Sequence, residues 1–112
     1  MILLPDAGEG LRELASQGMP LGVSRESGYQ RGEVALAPGD KLLLYTDGIT
    51  EVPGRDASDI FGVERLTAAF EACREAGGRE ALEDVFRAAR MHSADGAFED
   101  DVTLVLLERV DA

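Results

Sequence analysis

Short apolar bursts stand near both ends of the chain, and apolar residues recur at helical spacing between them. Ile2 to Leu4 is an apolar run stopped by Pro5, which has no backbone N–H to continue a ladder. Asp6-Ala-Gly-Glu-Gly reads as a turn, and Leu11 to Ala15 as the strand returning from it, which makes a hairpin. Gly18 to Gly22 is a loop. Glu33 to Leu36 alternates polar and apolar, as a half-buried strand does. Ala37-Pro38-Gly39-Asp40 carries Pro and Gly at the two central positions of a type II turn. Leu42 to Tyr45 follows as a strand too apolar for an exposed edge.

The pattern then breaks. Gly48 to Gly62 keeps no apolar period and holds Pro53, Gly54 and several acidic residues, so a long loop is expected there. Phe61 should anchor its end against the following helix, and its middle, residues 52–59, should be mobile. Val63 to Ala76 places Val63, Leu66, Phe70 and Cys73 on one helical face, and Gly77-Gly78 ends it. Arg79 to His92 places Leu82, Val85, Phe86 and Ala89 on one face. Glu80, Glu83 and Asp84 lie in its early turns, where the helix dipole favours them. Ser93 to Asp101 is a loop, and Val102 to Glu108 a last strand. The order predicts an α/β fold, a mostly antiparallel sheet with two helices on one face.

At 112 residues a single domain is expected. The net charge of -11 argues against nucleic acid or an anionic membrane as a partner. Its main consequence is solubility. Cys73 is the one cysteine, so neither an internal disulfide nor a cysteine-rich metal site is possible. That fits a reducing compartment, and a cytoplasmic location is expected. No apolar run approaches the roughly 20 residues of a membrane span.

Two stretches carry the candidate chemistry. Lys41 to Glu51, K-L-L-L-Y-T-D-G-I-T-E, runs an apolar strand into Asp47-Gly48. Glu99 to Leu107, E-D-D-V-T-L-V-L-L, runs an acidic cluster into an apolar strand. If the two strands pair antiparallel, Asp47 and Asp100 meet at one end of the sheet, where carboxylates suit a hard divalent cation. Gly48 would leave room for the cation by lacking a Cβ. From local sequence alone, an Asp-Gly turn and a solvated acidic turn explain the same residues better.

The balance changes with a resemblance. T-D-G-I-T-E at 46–51, F-G-V-E-R-L at 61–66, D-D-V-T-L-V at 100–105, G-M-P-L-G-V at 18–23 and A-P-G-D-K-L-L-L-Y at 37–45 together resemble the C-terminal half of a PPM-type (type 2C) metal-dependent protein phosphatase. The similar branch is the bacterial stage II sporulation protein E-like group. The resemblance implies half of an αββα sandwich, leaving one sheet face open to association with a missing N-terminal half or with a second copy. It implies a two-metal centre of Mg²⁺ or Mn²⁺, with Asp47 and Asp100 as ligands and Asp101 in a hydrogen-bonding role. It also implies a phosphorylated protein substrate, such as an anti-anti-sigma factor.

One departure from the family bears on activity. The family's N-terminal half supplies a bridging aspartate and a basic residue or histidine near the phosphate, and neither is found here. The chain is therefore expected to be one partial domain over 1–112, a fragment, split product or degenerate module with an incomplete metal site. A protein serine/threonine phosphatase module is one reading. A non-catalytic partner-binding module that keeps the phosphatase-like fold is the other.

Other residues are expected to be structural. Asp56 and Asp59 lack EF-hand spacing and read as solvated loop acids. His92 has no second His or Cys pair, and Cys73 lies on an apolar helix face. Thr50 and Ser93 have no His base to make a nucleophile.

Overall fold

The computed structural model describes residues 1–6, 10–15, 22–26 and 28–111. Four strands form one sheet: β1 (Ile2–Leu4), β2 (Arg12–Glu13), β3 (Lys41–Tyr45) and β4 (Leu104–Glu108). Their order is β2-β1-β3-β4, and every pair is antiparallel. Three helices complete the chain: α1 (Asp47–Thr50), α2 (Gly62–Glu71) and α3 (Gly78–His92).

β3 is a central strand, as its apolar run requires. Leu43 faces Ile2 on one side and Leu106 on the other. Side chains alternate between faces along a strand, so Ile2, Leu4 and Leu43 share one face. There they join Leu66 and Phe70 of α2 and Ala81, Val85 and Ala89 of α3 in the buried core. The fold is thus an antiparallel sheet with two helices on one face. On the opposite face Leu42 is buried, while its β4 neighbour Leu107 and Val105 are exposed.

Several elements depart from the sequence pattern. The hairpin partner is shorter than Leu11 to Ala15, although Leu14 N–H donates to the Met1 carbonyl at 2.8 Å and extends the pairing. Residues 7–9 of its turn, and residues 18–21 of the expected Gly18–Gly22 loop, lie outside the described residues. Glu33 to Leu36 is not a strand. Its alternation reflects the half-burial of Val34 and Leu36, but among the described residues no neighbouring strand offers it a ladder. The helix expected over Val63 to Ala76 is regular only to Glu71. Beyond it, Cys73, Arg74 and Ala76 each donate to the carbonyl three residues back, at 3.0, 3.2 and 3.0 Å, the tighter winding common at helix ends. On α3, Phe86 is exposed and Ala81 is buried in its stead. A small residue lets the helix approach the sheet closely.

The end of the sheet away from Asp47 is fastened by two charged residues. The turn before β3 forms as expected, with Asp40 N–H donating to the Ala37 carbonyl at 3.0 Å and Gly39 at φ 87. Buried Asp40 then accepts the Asp6 N–H at 2.9 Å and the Ala37 N–H at 2.8 Å. These bonds, with the Asp6 amide foremost, hold its carboxyl below the ordinary 3.8, helped by the Arg109 charge and opposed by burial. Lys41 is also buried. Its Nζ donates to the Arg74 carbonyl at 2.9 Å and lies 3.7 Å from Glu108 Oε1. It thereby satisfies a carbonyl beyond the end of α2, where cations are favoured.

Asp40 sets an acid limit on stability. Its folded pKa is depressed, so its contribution is complete above the unfolded value of 3.8 and is lost as pH falls through the folded value. Asp40→Ala should cost about 1–3 kcal/mol at neutral pH, because two partly buried amides lose their acceptor. Urea denaturation at pH 7 and pH 3 should show the gap between wild type and variant narrowing at pH 3.

Candidate metal centre

The register of β3 and β4 decides where the acidic residues fall. Tyr45, the last residue of β3, faces Leu104, the first of β4. The pairing continues one step further through side chains. Thr46 N–H donates to the Thr103 carbonyl at 3.2 Å, and Thr103 N–H donates to Thr46 Oγ1 at 3.1 Å. Asp47 stands immediately beyond Thr46, and Asp101 and Asp100 lie just before Thr103 in the opposite segment. The expected meeting of the two strand ends is therefore present.

Past Thr46 the chain does not enter a loop at once. Asp47 to Thr50 makes one helical turn, closed by Glu51 N–H on the Asp47 carbonyl at 2.9 Å and by Thr50 Oγ1 on the same oxygen at 3.2 Å. A single turn with one apolar residue, Ile49, is too short to leave a readable period. Ile49 is fully buried and pins the turn to the core.

Gly48 has a steric role that its sequence did not disclose. A Cβ added there would lie 2.0 Å from the Asp101 carbonyl oxygen. No side chain fits, so Gly48 is what allows the start of α1 and the Asp100–Asp101 segment to touch. Asp47, Asp100 and Asp101 themselves are exposed. Asp100 Oδ1 accepts the Asp101 N–H at 2.8 Å. The hydrogen bonding expected of Asp101 is made by its backbone; no bond to its carboxylate occurs among the described residues. Tyr45 registers the local charge. Burial first, then the carboxylates of Glu13 and Asp47, push its phenol up from the ordinary value of 10.0.

The donor chemistry suits Mg²⁺ or Mn²⁺, since carboxylate oxygens are hard ligands. The donor number does not. Among the described residues no three His, Cys, Asp or Glu side chains converge on a point that could hold a metal ion. These residues by themselves do not fit a two-metal centre.

The segment after α1 is more ordered than its composition suggested. Phe61 N–H donates to the Val52 carbonyl at 2.8 Å, Gly54 N–H to the Asp59 carbonyl at 3.0 Å, and Asp59 N–H to the Asp56 carbonyl at 2.9 Å. Phe61 is buried in the core, as expected of an anchor. The other fastener is His92. Its Nε2 lies 2.7 Å from the Asp59 carbonyl, which can only accept, so this nitrogen carries the hydrogen. Its ring also packs against Phe61 at 5.8 Å. Backbone and helix donors thus cross-link the segment whose middle was expected to be mobile, where apolar contacts are few.

The remaining residues are structural. Asp56 accepts from Ser58 N–H and Oγ at 3.0 and 2.8 Å, which lowers its pKa. Asp59 pairs with Arg65 at 3.0 Å. Cys73 is buried, and burial first, then Asp84 and Glu80, push its thiol up. Ser93 Oγ donates to Asp95 and to the Ala97 carbonyl at 3.0 and 2.7 Å, and no histidine activates it.

Sequence reasoning missed a cleft of about 400 Å³ beside the strand ends, between segments 51–57 and 93–99. Glu51, Arg55, Asp95 and Glu99 are among its lining residues. Only the tertiary fold brings the two segments together.

The model of the family described as stage II sporulation protein E matches residues 1–110. Protein IcfG of Synechocystis sp. is 29% identical over 107 residues, covering 90% of this chain and 16% of its own length. Phosphoserine phosphatase RsbU of Bacillus subtilis is 26% identical over 97 residues, covering 87% of this chain and 28% of its own. The chain thus spans less than a third of either relative. No solved structure matches. Among the described residues no helix is long and apolar enough to cross a membrane.

Two outcomes follow from the geometry. Gly48→Ala should destabilise the fold by about 1–3 kcal/mol or more, as overpacking against fixed backbone does, measured by urea denaturation. Hydrogen exchange should be slow at the amides of Gly54, Asp59 and Phe61 without metal or partner; exchange there at the rate of an open chain would contradict the cross-linked loop.

Proposed function

Because the chain belongs to the stage II sporulation protein E family, we propose that it is the C-terminal portion of a metal-dependent protein serine/threonine phosphatase domain. It would act on phosphoserine or phosphothreonine of a bacterial signalling protein, such as an anti-anti-sigma factor. The observation that supports this reading is the Thr46–Thr103 cross-link, which brings the segment after β3 against the segment before β4, the two segments that carry Asp47 and Asp100.

In this reading Asp47 and Asp100 are the carboxylates that this segment gives to a Mg²⁺ or Mn²⁺ site. Gly48 holds the two segments in contact. A cation held there would supply charge to neutralise phosphoryl oxygens and to activate water. In this reading the described residues supply no nucleophile, and the reaction would need no covalent enzyme intermediate. Further ligands come from outside the described residues, from an N-terminal half or from a second copy.

The shortage of converging ligands supports a second reading, a non-catalytic module that keeps the fold and binds a signalling partner. Two measurements separate the readings. Calorimetric titration with Mn²⁺ should show weak binding that Asp47→Asn and Asp100→Asn each reduce; unchanged heats in both variants would remove the metal assignment. A phosphopeptide assay in excess Mn²⁺ should find negligible turnover for the chain alone, because catalytic parts that act as a unit fail together. Robust turnover abolished by Asp47→Asn would show instead that the chain or its dimer completes the site.

A further inference from the structure

We propose that Lys41 is a fold-gated acylation site, shut in the native chain and open in the unfolded one, and that its acylation bars the chain from refolding. Lys41 is the one lysine of the chain, and the proposed phosphatase chemistry does not use it. It begins β3, opposite Glu108 at the end of β4. Only 6% of its side chain is exposed. Its Nζ donates to the Arg74 carbonyl at 2.9 Å and lies 3.7 Å from Glu108 Oε1. The backbone beside it is closed as well. Arg109 N–H donates to the Asp40 carbonyl at 3.1 Å, and Gly39 N–H to the Arg109 carbonyl at 2.7 Å. The start of β3, the end of β4 and the turn after α2 thus enclose the amine, and an electrophile reaches it only when these elements part.

The reagent class is an acyl phosphate. The lysine amine, once deprotonated, attacks the acyl carbon with its lone pair. The bond from that carbon to the phosphate oxygen breaks, phosphate leaves, the nitrogen loses a second proton, and a neutral amide remains. The other basic side chains apart from His92 are arginines, whose guanidinium groups stay protonated and do not react this way. Two things then oppose refolding. The acyl group needs volume where the side chain is already enclosed, and overpacking a closed site is destabilising. The charge facing Glu108 is also lost. Glu108 keeps 31% of its side chain in water, so the lost pair matters less than the steric conflict.

The test treats the 112-residue chain with acetyl phosphate, in buffer and in guanidinium chloride above the unfolding midpoint. A free peptide with a single lysine stands in the same tube, and peptide mass spectrometry reads the acetylation of both. In buffer Lys41 should react about a hundredfold or more slowly than the free peptide, because the open state is rare. In denaturant the two should react alike. Chain acetylated at Lys41 should then fail to regain a cooperative unfolding transition when the denaturant is diluted away. Lys41→Arg chain taken through the same treatment should regain it, which assigns the failure to Lys41. The fraction of wild type modified at the Met1 amine alone gives the same comparison independently of how Lys41→Arg folds. Acetylation of Lys41 in buffer within about tenfold of the free peptide would overturn the gate. Lys41-acetylated chain that refolds with the stability of unmodified chain would overturn the bar to refolding.

Discussion

The antiparallel register between β3 and β4 is the constraint on which the rest of this structure depends. Leu43 opposite Leu106 and Tyr45 opposite Leu104 put the apolar face of both strands against the helices. A slip by one residue would turn that face outward. The same register fixes where each chain leaves the sheet, and so brings the residues after Tyr45 against the residues before Leu104. Core packing and the placement of Asp47 and Asp100 are therefore consequences of one alignment. The Thr46–Thr103 bonds and the Gly48–Asp101 contact extend that alignment past the last ladder residue.

The opposite end of the sheet shows how such an alignment is held. Asp40 and Lys41 are adjacent charged residues, and both are buried. Each is satisfied by backbone groups from elsewhere in the chain: Asp40 by amides at Asp6 and Ala37, Lys41 by the Arg74 carbonyl. Buried charges persist where hydrogen bonds replace their hydration. The two ends of the sheet thus differ in kind. One has its carboxylate satisfied by the fold itself, and the other leaves Asp47, Asp100 and Asp101 exposed to solvent.

The cross-linked segment between α1 and α2 links those exposed carboxylates to the helices. His92 at the end of α3 donates to Asp59, Phe61 enters the core, and Arg65 of α2 gathers the Asp59 carboxylate and the Ile60 carbonyl. The cleft beside it, with Arg55 on one wall, is a product of these ties. Among the described residues beside it, no three potential metal ligands converge.

The sequence by itself determined the elements whose periods are long or whose chemistry is local. The apolar run of β3, the helical spacing of Leu66, Phe70 and Cys73, and the Pro38-Gly39 turn were all readable, because each is set by neighbours a few residues apart. The order of motifs around Asp47 and Asp100 made the family legible as well. Tertiary structure alone decided the rest. The one-turn helix at Asp47 has too few apolar residues to announce itself. Glu33 to Leu36 alternates without a strand to pair with. The ordering of residues 52–61 depends on donors from α2 and α3 that are distant in sequence. The need for glycine at position 48 arises from the Asp101 carbonyl, which lies 2.0 Å from where a Cβ would be, and no local rule announces a contact made across the sheet.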